Sequence, residues 1–137
     1  MALKGTLENR VAYRIKRNAS AAFVRQDFAD LGGYDQIGRV LRTLVRKGLL
    51  VSLGYGVYAR AKTSSVSGQT IPEKPLSDLA KEALRKLGVQ TRPSRAERRY
   101  NKGQSTQIPT GRVIGVNRRI SRKLGFNGTY ISFEKSA

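Results

Sequence analysis

The chain contains no cysteine, no histidine and no tryptophan. The first absence rules out disulfides, a thiolate nucleophile and cysteine-based zinc sites. The second removes most other zinc sites and the commonest general base. Carboxylates are scarce, nine in 137 residues, and scattered: Glu8, Asp27, Asp30, Asp35, Glu73, Asp78, Glu82, Glu97 and Glu134. Asp78 and Glu82 stand at i and i+4 of a helical stretch, a spacing that suits Mg2+. The same spacing describes acids at a helix start, where the dipole favours them. Neither a Walker A loop nor a nucleophile elbow is present. No apolar run approaches the roughly 20 residues of a membrane span, and MALKGTLENR lacks a signal-peptide core. These absences predict a cytoplasmic protein that is not an enzyme, takes no cofactor or metal and makes no membrane contact.

What is abundant is positive charge. Lys and Arg number 27, giving a formal net charge of +18. Residues 1–60 hold 11 basic and 4 acidic side chains, and residues 61–137 hold 16 and 5. Both halves can therefore face a polyanion, with nucleic acid the first candidate.

Leu7, Val11 and Ile15 are spaced for a first helix over 6–16. Phe23 and Val24 suit a brief strand. Residues 26–31 suit a short second helix with Phe28 and Leu31 inward, stopped by Gly32 and Gly33. Asp35 is then placed to cap a third helix. There Ile37, Val40, Leu41, Leu44 and Val45 form an aliphatic stripe, and Asp35, Arg39, Arg42 and Arg46 fall on the opposite face. Residues 49–53 and 57–60 read as two strands joined at Gly54, Tyr55 and Gly56, the glycines supplying positive φ. Tyr58 is expected to pack against the third helix.

Ala61 to Pro75, AKTSSVSGQTIPEKP, reads as a polar linker. A fourth helix follows over 76–87, with Leu76, Leu79, Ala80, Ala83, Leu84 and Leu87 on one side and Gly88 at its end. Pro93 to Tyr100 allows one or two helical turns. Beyond Pro109 the pattern alternates, with strands expected at 112–116, 119–124 and 129–133 and an Asn127-Gly128 hairpin turn. The chain is thus expected to be α+β: an N-terminal winged helix-turn-helix over 1–60, a linker over 61–75, and a small basic helix-plus-antiparallel-strand module over 76–137.

In a winged helix-turn-helix the third helix offers its first turns to base edges in the major groove. Gln36 and Arg39 stand nearest the bases, since Gln pairs with adenine and Arg with guanine through two hydrogen bonds. Arg42, Thr43 and Arg46 can serve bases or phosphates, and Tyr55 at the hairpin tip can touch the backbone or enter a groove. A second basic cluster is Arg95, Arg98, Arg99 and Lys102, with Tyr100 among them. A third is Arg118, Arg119, Arg122 and Lys123. Both suit phosphate contacts, and cations interleaved with an aromatic also suit single strands.

The stretch GRVLRTLVRKGLLVSLGYGVYA, Gly38 to Ala59, resembles the winged helix-turn-helix of the AbiEi-type antitoxin family of bacterial type IV toxin–antitoxin systems. Val40, Leu44, Val45, Gly48, Leu50, Leu53, Gly56 and Tyr58 carry the likeness. Ser52 and Tyr55 stand where those relatives often have Arg. Ser105, Thr106, Gln107, Ile108 and Pro109 match a second stretch that follows the winged domain in short relatives, where Lys102 and Gln104 replace apolar residues. The resemblance implies a nucleoid-associated DNA-binding autoregulator whose C-terminal part neutralises a nucleotidyltransferase-like toxin.

The expectation is therefore a sequence-specific double-stranded DNA-binding repressor of the antitoxin type. The alternatives are a module that acts mainly by covering a toxin protein, and an RNA-binding protein. Symmetric sites call for dimers, yet no heptad or dimer helix is legible.

Overall fold

Leu7, Val11 and Ile15 do share one helical face. Leu7–Arg17 is helix α1 in the structure, a computed structural model that describes residues 5–135. The outer ends of the two expected units, residues 1–4 and 136–137, lie outside the described residues. Thr6 caps α1 by accepting the Asn9 N–H at 3.2 Å. Strand β1 (Ala22–Val24) comes next. The second helix expected over 26–31 is instead a 3-10 turn, Arg25–Phe28. Asp27 bends back to accept the Val24 N–H at 3.0 Å, a local bond that competes with a longer helix. Helix α2 spans Tyr34–Arg46. Its cap is Gly33, and Asp35 falls inside the first turn instead of ahead of it. The helix starts early because the Gln36 side chain accepts the Gly33 N–H at 3.4 Å.

Strands β2 (Leu50–Gly54) and β3 (Val57–Thr63) form an antiparallel hairpin that turns at Tyr55 and Gly56. Only Gly56 uses positive φ there, at +70°. Gly54 is a strand residue paired with Val57, so its lack of a side chain needs another reason, given below. The stretch expected as a linker is part of the sheet. β3 runs on to Thr63, and β4 (Thr70–Pro72) returns along it with Lys62 opposite Ile71. Its polar composition is that of a solvated hairpin, whose tip is held by the Ser64 hydroxyl accepting the Val66 and Ser67 N–H groups, both at 3.2 Å. The sheet order is β1-β3-β2, with β4 also on β3.

This sheet is buried on both faces. Phe23, Leu50 and Tyr58 pack with Val11 and Ile15 of α1 and with Ile37, Leu41 and Leu44 of α2. Ala22, Val24, Val51, Leu53, Val57 and Ala59 point the other way, into a core shared with the second half of the chain. That half begins with α3 (Leu76–Lys86), which buries Leu79, Ala80, Ala83 and Leu84 against the sheet. Strand β5 (Thr91–Arg92) leads to α4 (Arg95–Asn101), started by a Ser94–Glu97 capping box with bonds of 3.1 and 2.9 Å. Then come β6 (Val113–Val116), β7 (Gly125–Phe126), β8 (Thr129–Tyr130) and β9 (Ser132–Lys135).

The architecture is α+β, but the second half departs from an all-antiparallel module. β5 pairs β6 and β7 pairs β8 antiparallel, the latter around Asn127 and Gly128, both at positive φ. β9 pairs β6 in parallel. The intervening 117–131 segment, which carries the β7–β8 hairpin, is long enough for that return. Residues 119–124, expected as a strand, have no strand pairing. Their two apolar side chains, the half-buried Ile120 and the buried Leu124, are four residues apart with Arg122 between them, so no alternating face exists to bury. The strand expected at 129–133 is split at Ile131, whose side chain is buried in the core.

Helix α3 covers the open edge of β1 with two charged side chains. Glu82 accepts the Ala21 and Ala22 N–H groups at 3.0 and 2.7 Å. Lys86 donates to the Ala22 carbonyl at 2.8 Å and pairs with Asp27 at 2.7 Å. Glu82 is thus committed to backbone, not paired with Asp78 around an ion. Among the described residues no cluster of three or more potential metal ligands occurs, and no helix is long and apolar enough to cross a membrane.

A second tie fixes α1. Arg14 grips Asp30 with two hydrogen bonds of 2.6 and 2.8 Å and also bonds the Asp27 carbonyl at 3.0 Å. The hydrogen bond from Arg14 holds the Asp30 carboxyl down at about 2. Because the folded value lies below the unfolded one of about 3.9, this pair stabilises the fold above that value and stops doing so as pH falls toward 2. The melting-temperature gap between the parent and Asp30→Asn should therefore be present at neutral pH and close on acidification. A gap that persists unchanged in strong acid would remove the ion pair as its cause. Asp30 is exposed, so the gap is small.

Candidate nucleic-acid interface

The amphipathic period of α2 sends Ile37, Leu41 and Leu44 inward and leaves Asp35, Gln36, Arg39, Arg42 and Arg46 exposed. Gln36 uses its carbonyl oxygen on the Gly33 N–H, so its amide N–H groups are what remain to offer a partner. Thr43 donates to the Arg39 carbonyl at 3.0 Å and accepts from Arg46 at 3.0 Å. Arg46 is thereby tied back along the helix, while Arg39 and Arg42 make no such side-chain bond among the described residues.

The hairpin tip lies beside this face, and the residue that joins them is Arg25. Its guanidinium carbon sits 4.2 Å from the Tyr34 ring centroid and 5.6 Å from that of Tyr55. It rests on α2 at Gly38, where a Cβ would come within 2.7 Å of the guanidinium carbon. Its Nε is buried without a hydrogen-bond partner among the described residues. Tyr34 and Tyr55 remain 62% and 74% exposed, so both rings keep a free face. Arg25, Arg42, Gly54 and Tyr55 line a crevice of about 400 Å3 between helix and hairpin. Sequence reasoning missed Arg25. A signal existed in Gly38, since glycine inside a helix costs about 1 kcal/mol relative to alanine and marks a close approach.

The third basic cluster meets the hairpin from the other side. Arg122 donates to the Tyr55 carbonyl at 2.7 Å. The Lys123 carbonyl occupies the space a Gly54 side chain would need, and Leu124 Cδ2 lies 3.3 Å from that point. Arg118 reaches the Leu87 carbonyl at 3.5 Å, while Arg119 and Lys123 are exposed. Arg42 of α2 and Arg122 of the third cluster therefore both adjoin Tyr55. The second cluster does not join them by any hydrogen bond or ion pair among the described residues. Arg95 pairs with Glu134 at 3.5 Å, its N–H bonding the same carboxylate at 2.7 Å. Arg98 bonds the Pro93 carbonyl at 3.2 Å, and Arg99 and Lys102 are exposed on α4.

Residues 10–137, from within α1 to the end of the chain, match the family model described as DUF6088, a family of unknown function. The chain belongs to the DUF6088 family. No curated protein and no solved structure matches it. The DUF6088 match takes in α2, the hairpin, Arg25 and all three basic clusters, so the surfaces described above fall inside the family's own extent.

Proposed function

We propose that the chain binds double-stranded DNA in the manner of a winged helix-turn-helix, with α2 in the major groove and the β2–β3 hairpin as the wing, and that it represses transcription, its own operon included. One observation carries this: α2, which exposes Arg39 and Arg42, lies beside the hairpin tip, with Arg25 packed between Tyr34 of α2 and Tyr55 of the tip and Arg42 lining the same crevice. The element order α1, β1, 3-10 turn, α2, β2, β3 supports the same reading, as do the +18 charge and the likeness to AbiEi-type antitoxins. Arg39 and Gln36 are assigned to base edges, Arg42 and Tyr55 to the backbone beside them. Neutralisation of a toxin by the second half rests on that likeness alone.

Selection from a random duplex pool, repeated across a salt series, tests the reading. An enriched motif is expected, with affinity falling steeply in salt as counterions are released. Arg39→Ala should weaken the selected site by about 1–3 kcal/mol and relax preference at one position. Tight binding with no motif, or preference for structured RNA over the duplex, would overturn it.

A further inference from the structure

A concavity of about 850 Å3 lies behind the hairpin. Its floor is apolar: Leu84 at the end of α3 and Val89 are 1% and 4% exposed. Its walls carry Arg118, Arg119, Arg122 and Lys123, and no carboxylate lines it among the described residues. Two exposed rings, Tyr55 and Tyr130, border it, the latter 58% exposed. Four uncompensated cations in a concave wall concentrate anions. Two of them, Arg122 and Arg118, already spend donors on carbonyl oxygens, whereas Arg119 and Lys123 have no hydrogen-bond or ion-pair partner among the described residues. A simple inorganic anion leaves the rings and the apolar floor unused. A duplex backbone is convex and touches rims, not floors.

We propose that this groove is a binding site for a phosphorylated nucleoside, its phosphate held by Arg119 and Lys123 and its base lying on Tyr130 above the apolar floor. The chemistry is the same for a free mononucleotide and for an unpaired nucleotide within a single strand. This site borders the duplex-reading face proposed above at Tyr55 but holds its ligand through other residues, Arg119, Lys123 and Tyr130, so the two proposals stand or fall separately. Arg122, which bonds the Tyr55 carbonyl, links an occupant of the groove to the hairpin tip.

Calorimetric titration of the full chain with AMP, with a short single-stranded oligothymidylate, and with inorganic phosphate tests the site. AMP or the oligonucleotide should bind, with inorganic phosphate much weaker than either. Binding of AMP identifies a free nucleotide as the ligand, and binding of the oligonucleotide alone identifies an unpaired strand. Arg119→Ala with Lys123→Ala should weaken that binding by about tenfold or more. Tyr130→Ala should weaken it by roughly tenfold, and Arg39→Ala should leave it unchanged. All four side chains are exposed, so these variants should melt like the parent. Absence of binding by both nucleotide probes overturns the proposal. So does phosphate binding as well as AMP with no loss in Tyr130→Ala, or loss in the loop variants of duplex affinity alone.

Discussion

A chain carrying Glu82→Ala should unfold about 2–6 kcal/mol more easily than the parent, read as a drop in denaturant midpoint with an unchanged slope. The Glu82 carboxylate accepts two N–H groups, those of Ala21 and Ala22, which enter a core where both alanine side chains are fully buried. Removing it leaves two donors without an acceptor, and each such donor costs about 1–3 kcal/mol. Glu82→Gln keeps an acceptor oxygen but loses the charge, so it should lie between parent and alanine. Because α3 and β1 share one core, the transition should remain single. If Glu82→Ala melts with the parent, water has taken over the acceptor role and the helix does not depend on this bond.

Gly54→Ala is the second large effect. Gly54 does not use positive φ, although the β2–β3 register slips between Ser52 and Gly54. What it provides is room: its missing Cβ is where the Lys123 carbonyl sits. A backbone atom cannot swing aside as a side-chain tip does. The methyl must push residues 122–124 off the hairpin or bend β2, at a cost of about 1–3 kcal/mol. The Arg122 bond to the Tyr55 carbonyl breaks in the same movement. The expected signature is a lowered melting temperature together with new protease cleavage after Arg122 or Lys123. Parent-like stability with unaltered cleavage would show that the two segments do not touch in solution.

Much of the first half was legible because its helices obey one period. The stripe of Ile37, Leu41 and Leu44 fixed both the inward face of α2 and, by subtraction, the exposed Arg39, Arg42 and Arg46. What stayed hidden was the second face of the sheet. Ala22, Val24, Val51, Leu53, Val57 and Ala59 belong to near-continuous apolar runs, which announce burial but not by what. The covering layer comes from residues 79–131, beyond any local pattern. The same limit hid the β3–β4 pairing, since Thr63 and Thr70 are as polar as a true linker. At the candidate site Arg42, Tyr55 and Arg122 could be named from charge and turn position. Their convergence could not, because Arg122 lies 67 residues from Tyr55. Arg25 was overlooked because it is a single cation outside any cluster, and only the glycine facing it recorded its place.

The way α3 seals β1 bears on the chain while it is being made. Until Leu76–Lys86 has emerged and docked, β1 is the outer strand of the sheet, paired on one side only by β3. The Ala21 amide just before it and its own Ala22 amide and carbonyl then face outward on an apolar strand, the arrangement that recruits a neighbouring chain into a shared sheet. Glu82 and Lys86 arrive about 60 residues later than the groups they satisfy. Aggregation is therefore a hazard of the half-synthesised chain, and α3 is the element that ends it.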